Sequence, residues 1–130
     1  MPADAELRAR IQEHWDASER NDFAAEHAIY ADAAILDYPQ SGERFRGRAA
    51  IQGQRGGHAA ERHFTVRRIS GGGALWVSEC VITYDGAPTH SVSIMELDPD
   101  TGEVVHETQY FADPFPPAPD RAALAEAIPE

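Results

Sequence analysis

Leu7, Ile11, His14, Trp15 and Ser18 recur at helical spacing, and Asp4 stands where it can cap the run. A first helix is therefore expected from Asp4 to about Arg20. His14 shares a face with Leu7 and Ile11 and is expected to point inward. A second, short helix opens at Asn21 or Asp22 and carries Phe23, Ile29 and Tyr30 toward the core. Ala34-Ile35-Leu36 then leads into a strand through Asp37 and Tyr38. Alternation places Leu36 and Tyr38 on one side of it, Ile35 and Asp37 on the other. After a turn at Gln40-Ser41-Gly42, residues 43–46 read as a short return strand. Gly47 opens a third helix and Gly56-Gly57 closes it.

Downstream the period changes to two. His63 to Ile69, Leu75 to Tyr84, Thr89 to Leu97 and Val104 to Phe111 read as strands, with turns at the triple glycine 71–73, at Asp85-Gly86 and at residues 98–102. The triple glycine precedes a strand and not a helix, so it is a turn rather than a phosphate cradle. Alternation groups Trp76, Ser78, Cys80, Ile82 and Tyr84; then Ser91, Ser93, Met95 and Leu97; then Val105, Glu107, Gln109 and Phe111. A β-bulge would invert this assignment beyond it. The opposite face, with Val77, Val81, Val92, Ile94 and Tyr110, is apolar enough to need a cover. A homodimer formed through the sheet face supplies one, with Glu79, Glu96 and His106 as candidate interface pairs. Helices followed by successive hairpins give the α+β class, one domain over residues 1–130. A proline-rich stretch, 113–119, precedes a last helix expected from Asp120, a strap for the sheet edge or cavity mouth.

Composition narrows the partners. Acidic residues outnumber basic ones 22 to 11, for a formal charge of −11, which repels phosphate backbones and excludes nucleic acid. Every basic residue is arginine, so neither a lysine Schiff base nor a Walker-type loop can form. Cys80 is the only cysteine and is expected to be a buried, inert thiol. No histidine pair has HxH or HxxxH spacing, so no metal and no cofactor is expected. No apolar run approaches the ~20 residues of a membrane span. The start, MPADAELRAR, lacks a signal-peptide pattern, so a cytoplasmic protein is expected.

The stretch from His27 to Gln52, HAIYADAAILDYPQSGERFRGRAAIQ, the paired strands and the closing Gln109-Tyr110-Phe111-Ala112-Asp113-Pro114 carry a family resemblance. Together they resemble the nuclear transport factor 2-like superfamily, and within it the SnoaL-like polyketide cyclases and ketosteroid isomerases. The resemblance implies a cystatin-like α+β barrel: a cone-shaped, curved, mixed but mostly antiparallel sheet with helices on its concave face. It also implies that the grouped strand residues line that concave side. His14 falls where ketosteroid isomerases carry an oxyanion-binding tyrosine, and Ser93 near the slot of their second oxyanion acid. Their catalytic aspartate immediately precedes the motif's proline; here Tyr38 takes that slot and the carboxylate is one residue earlier, at Asp37.

A few polar groups converging in an apolar cavity are the usual form of a small-molecule site. The candidate catalytic groups are Glu107, His14, Tyr38 and Asp37; the candidate binding residues are Trp15, Tyr30, Trp76, Ser78, Ser93, Met95, Gln109 and Phe111. Glu107 in an apolar cavity is expected to have a raised pKa suited to proton transfer, unless an arginine such as Arg44 or Arg46 pairs with it. The expected activity is cofactor-free acid–base chemistry, an isomerase, cyclase or dehydratase acting on an apolar cyclic carbonyl or polyketide-like substrate. The alternatives are a non-catalytic binder of hydrophobic ligands and a protein-interaction module. An epoxide-hydrolysing variant would need an Asp–Arg–Asp set in the cavity.

Overall fold

A computed structural model of the chain describes residues 1–56 and 60–129. Helix α1 (Asp4–Glu19) buries Leu7, Ile11, His14, Trp15 and Ser18, the stripe its spacing predicts. Asp4 is not the cap: the cap position is Ala3, and Asp4 accepts the Gly73 N–H at 3.0 Å, tying the helix start to a distant turn. Helix α2 (Phe23–His27) is capped by Asp22, whose side chain accepts the Ala25 N–H at 3.2 Å.

Tyr30 is not helical. Strand β1 (Tyr30–Tyr38) begins there, four residues before the apolar run that announces it. The cause lies far along the chain: the Val104 N–H donates to the Ile29 carbonyl at 2.9 Å, and Tyr30 pairs with Val104. Next come β2 (Glu43–Arg46), α3 (Arg48–Gly56), β3 (Arg62–Gly72), β4 (Leu75–Tyr84), β5 (Ala87–Leu97) and β6 (Val104–Ala112). The expected helix end at Gly57 lies outside the described residues.

The six strands form one mixed sheet in the order β2-β1-β6-β5-β4-β3, in which only β1 and β6 run parallel. The helices cover its inner face, where Leu7, Ile11 and Trp15 join Trp76, Ile82 and Met95 in one core. This is the cone-shaped α+β architecture that the resemblance implies. Gly71 marks a close approach at the narrow end: a Cβ there would sit 2.8 Å from Trp76 Cα.

Burial alternates along β4 and β5 as their patterns predict, with Trp76, Ser78, Cys80 and Ile82, then Ser91, Ser93, Met95 and Leu97, turned inward. Strand β6 departs from its pattern. Val104 and Glu107 are both buried while Val105 is exposed. Leu97 pairs with Val104 and Glu96 with His106, so Val105 is an extra, bulged residue that turns outward instead of joining Glu107.

The tail also differs from expectation. It contains only a 3-10 turn, Pro119–Arg121, and Leu124 and Ile128 are exposed. A helix limited to residues 120–128 is shorter than the ~12–15 residues an isolated helix needs, and no packed face supports it. It straps neither edge nor cavity. No described helix is long and apolar enough to cross a membrane.

Candidate functional site

Glu107 lies fully buried at the middle of the inner face. It does not stand alone in an apolar cavity: Tyr30 Oη donates to its Oε1 and Ser93 Oγ to its Oε2. Arg55 Nη2 also donates to Oε1 at 3.2 Å and to Gln109 Oε1 at 3.1 Å, while Nη1 donates to Tyr30 Oη at 2.7 Å. Gln109 Nε2 passes the network on to Ser91 Oγ at 3.0 Å.

This pairing reverses the expected titration of Glu107. Burial alone would push its carboxyl up, but the Arg55 charge and the hydroxyls of Ser93 and Tyr30 outweigh burial and hold it below the usual range. Burial pushes the Tyr30 phenol well up, so it stays protonated and donates. Glu107 is thus an ionised anchor whose two oxygens are occupied, in place of the raised, proton-accepting carboxyl foreseen. Its partner is neither Arg44 nor Arg46 but Arg55, which no motif singled out. One signal was available: Ile51 is the buried residue of α3, and Arg55 follows it by one helical turn on the same face.

Asp37 is not in the cavity. Its neighbours Leu36 and Tyr38 turn inward, and Asp37 turns out to receive Arg44 Nε at 2.7 Å and Arg44 Nη2 at 2.9 Å. His106 Nε2 lies 2.8 Å away, and His106 Nδ1 is 3.2 Å from Glu96, an ion-pair cluster on the outer face. The Arg44 hydrogen bonds lead the effects that hold Asp37 well below the carboxylate range. Glu79 goes instead to Arg68, at 2.8 Å. Asp37→Asn should leave any cavity chemistry within about twofold of the native rate, a surface change outside the site; a rate assay checks this.

The open part of the cone is a hollow of about 70 Å³ whose wall includes His14, Trp15, Tyr38, Arg55, Gln109 and Phe111. Typical ligand pockets are about 300–1,000 Å³. A multi-ring substrate exceeds this volume. Trp76, Ser78 and Met95, expected to bind ligand, are buried in the core and do not reach this wall. Trp76 instead donates its indole N–H to the Gly73 carbonyl at 2.9 Å, with Arg8 over its ring. Tyr30 and Ser93 sit behind the wall as supports of Glu107.

His14 is on the wall and is 1 % exposed. Its Nδ1 is 2.6 Å from the Glu26 carbonyl, an acceptor only, so Nδ1 carries the proton and Nε2 a lone pair. Nε2 has no partner among the described residues. Burial, aided by Arg55 and opposed by Glu107, lowers the His14 pKa and keeps the ring neutral. Tyr38 Oη accepts from Gln54 Nε2 at 3.0 Å, which leaves its own proton for another acceptor. The Cys80 thiol, pushed up to about 12 by burial and by Glu107 and Glu79, is inert. Among the described residues, no three metal-binding side chains converge.

The chain is 48% identical to an NTF-2 like protein of unknown function from Burkholderia xenovorans LB400, over 98% of both chains with a TM-score of 0.90. It belongs to the nuclear transport factor 2-like superfamily. A proposed ketosteroid isomerase from Kribbella flavida is 22% identical, with 98% of this chain and 94% of that one covered and a TM-score of 0.87. An LEH-like epoxide hydrolase of M. tuberculosis is 18% identical over 82% and 83%, with a TM-score of 0.70. These last two share the fold alone. No family model matches the chain, and no curated protein does.

Proposed function

We propose that the chain is a cofactor-free acid–base enzyme that moves a proton next to the carbonyl of a small apolar compound, whose reacting end enters the hollow. The observation that carries this reading is the buried, neutral His14 on the wall of the hollow, with Nδ1 fixed on a carbonyl and Nε2 unpartnered among the described residues. The C–H bond beside the carbonyl breaks and its proton passes to Nε2. The electron pair forms the enolate double bond, and charge moves to the oxygen. Tyr38 has a proton free to hold such an oxygen. Return of the proton to carbon completes an exchange, or an isomerisation if it returns elsewhere. Glu107 serves by fixing Arg55 and Gln109 rather than by taking the proton. The fold neighbours named for isomerisation and epoxide hydrolysis are compatible with small-molecule chemistry in this cone. The epoxide variant lacks support, because Glu107 is the only carboxylate within bonding reach of Arg55 among the described residues.

The test is deuterium exchange into a panel of small ketones in D2O, followed by NMR. Catalysed exchange at the carbon beside the carbonyl is expected. Ligand binding with no exchange above buffer would make the protein a non-catalytic binder and overturn the enzyme reading.

We also propose that two copies pair through the outer sheet face. Val92 and Tyr110 are exposed there, an apolar surface that association would cover. Sedimentation should give a dimer, and Tyr110→Glu should shift it to monomer; a monomeric native protein would sink this.

A further inference from the structure

We propose that the indole N–H of Trp15 is a donor that, beside the Tyr38 hydroxyl, receives the oxygen of an oxygen-bearing substrate. The inference rests on the proton-transfer reading of the same hollow and adds its binding group and substrate class. Trp15 is 3 % exposed, and its Nε1 has no partner among the described residues. A buried donor left without an acceptor is unfavourable, and an entering acceptor relieves it. Arg55 is committed to Tyr30, Glu107 and Gln109, the Gln109 amide to Ser91, and Ser93 to Glu107, whereas the Tyr38 hydroxyl keeps a proton that can share the same oxygen.

Trp15 and His14 form a complementary pair on one wall. Their rings meet edge to face with centroids 4.6 Å apart, one presenting an unpartnered donor and the other an unpartnered acceptor. A carbonyl compound with a hydrogen on the adjacent carbon answers both, its oxygen toward the indole N–H and its C–H toward Nε2. An alcohol answers both as well, but has no such C–H to exchange. A hydrocarbon answers neither.

The protein reports on this directly, because it contains two tryptophans. The Trp76 indole, already bonded to Gly73, is an internal reference for Trp15. The full chain, 15N-labelled, is titrated with cyclopentanone, cyclopentanol and cyclopentane while the two indole N–H signals are followed. The Trp15 signal is assigned by its loss in Trp15→Phe, or by its proximity to the His14 and Phe64 rings should that variant not fold. The expected result is a downfield shift of Trp15 but not Trp76 with ketone and alcohol, and about tenfold weaker binding of hydrocarbon, the ratio that 1.4 kcal/mol gives. A Trp15 signal that moves no more than that of Trp76 at saturation overturns the proposal. So does hydrocarbon binding as tightly as ketone, or no member binding at all. Full exchange activity in Trp15→Phe overturns it while sparing the role of His14. A Trp15 shift without exchange upholds it and removes the enzyme reading instead.

Discussion

Arg55→Met is expected to cost about 3–5 kcal/mol of folding stability at neutral pH, because it strands the Glu107 carboxylate in the interior without a counter-charge. The measurement is a urea unfolding curve. Its pH dependence carries a sign that packing loss alone would not give. In the native protein Glu107 is held below its ordinary value of 4.5, so its contribution is present above that pH and is lost as pH falls through the lowered value. In the variant, burial acts without the arginine and the carboxyl titrates high. Its penalty is then relieved as pH falls and the group takes up a proton. The deficit against native protein is therefore largest at neutral pH and narrows as pH falls, first through the variant's raised value toward 4.5 and then, as the native contribution is lost, below 4.5. His14 and His27 reinforce the trend. Burial lowers both, Arg55 lowers them further, and its removal eases their protonation in acid. Arg55→Met with Glu107→Gln should regain most of the loss. A deficit that is flat with pH and undiminished in the double variant would reduce Arg55 to a packing role.

His14→Gln is expected to lower ketone exchange by about 10²–10⁴-fold, the range that a positioned proton-transfer group supplies. Glutamine keeps a donor for the Glu26 carbonyl yet has no basic nitrogen, so the fold should survive while the acceptor is lost. The native rate should be flat through neutral pH and fall only in acid, as Nε2 takes up a proton below the histidine's ordinary 6.5. The stability linked to His14 has the same sign. Its neutral form is the buried one, so stability is present above 6.5 and is lost as pH falls through the lowered value. Exchange kinetics over pH, native against variant, check this. An inflection that persists in the variant would assign the proton acceptor elsewhere.

The two variants separate the parts of the site that the sequence makes visible from the parts it conceals. His14 is legible because a helix repeats every 3.6 residues, and a polar residue on the Leu7–Ile11 stripe must face the core. Ser93 and Gln109 are legible because strands alternate. Arg55 was half legible, one turn beyond Ile51, yet an arginine at the end of a short polar helix reads first as a surface charge. Asp37 is drawn toward the cavity by a family motif whose aspartate directly precedes the proline, yet here it lies one residue earlier and alternation sets it opposite Tyr38.

By itself the sequence determined the order of the elements, the inward faces of β4 and β5, and the small set of polar residues turned toward the core. These follow from periodicities that act within a few residues. Only the tertiary structure decided that β1 starts at Tyr30 against Val104, that Val105 bulges outward, and that Glu107 is ionised by an arginine 52 positions away. Such pairings are fixed by the closure of the sheet and the docking of α3. A charge's protonation depends on which neighbours that closure brings within a few ångströms, and no local pattern contains that information.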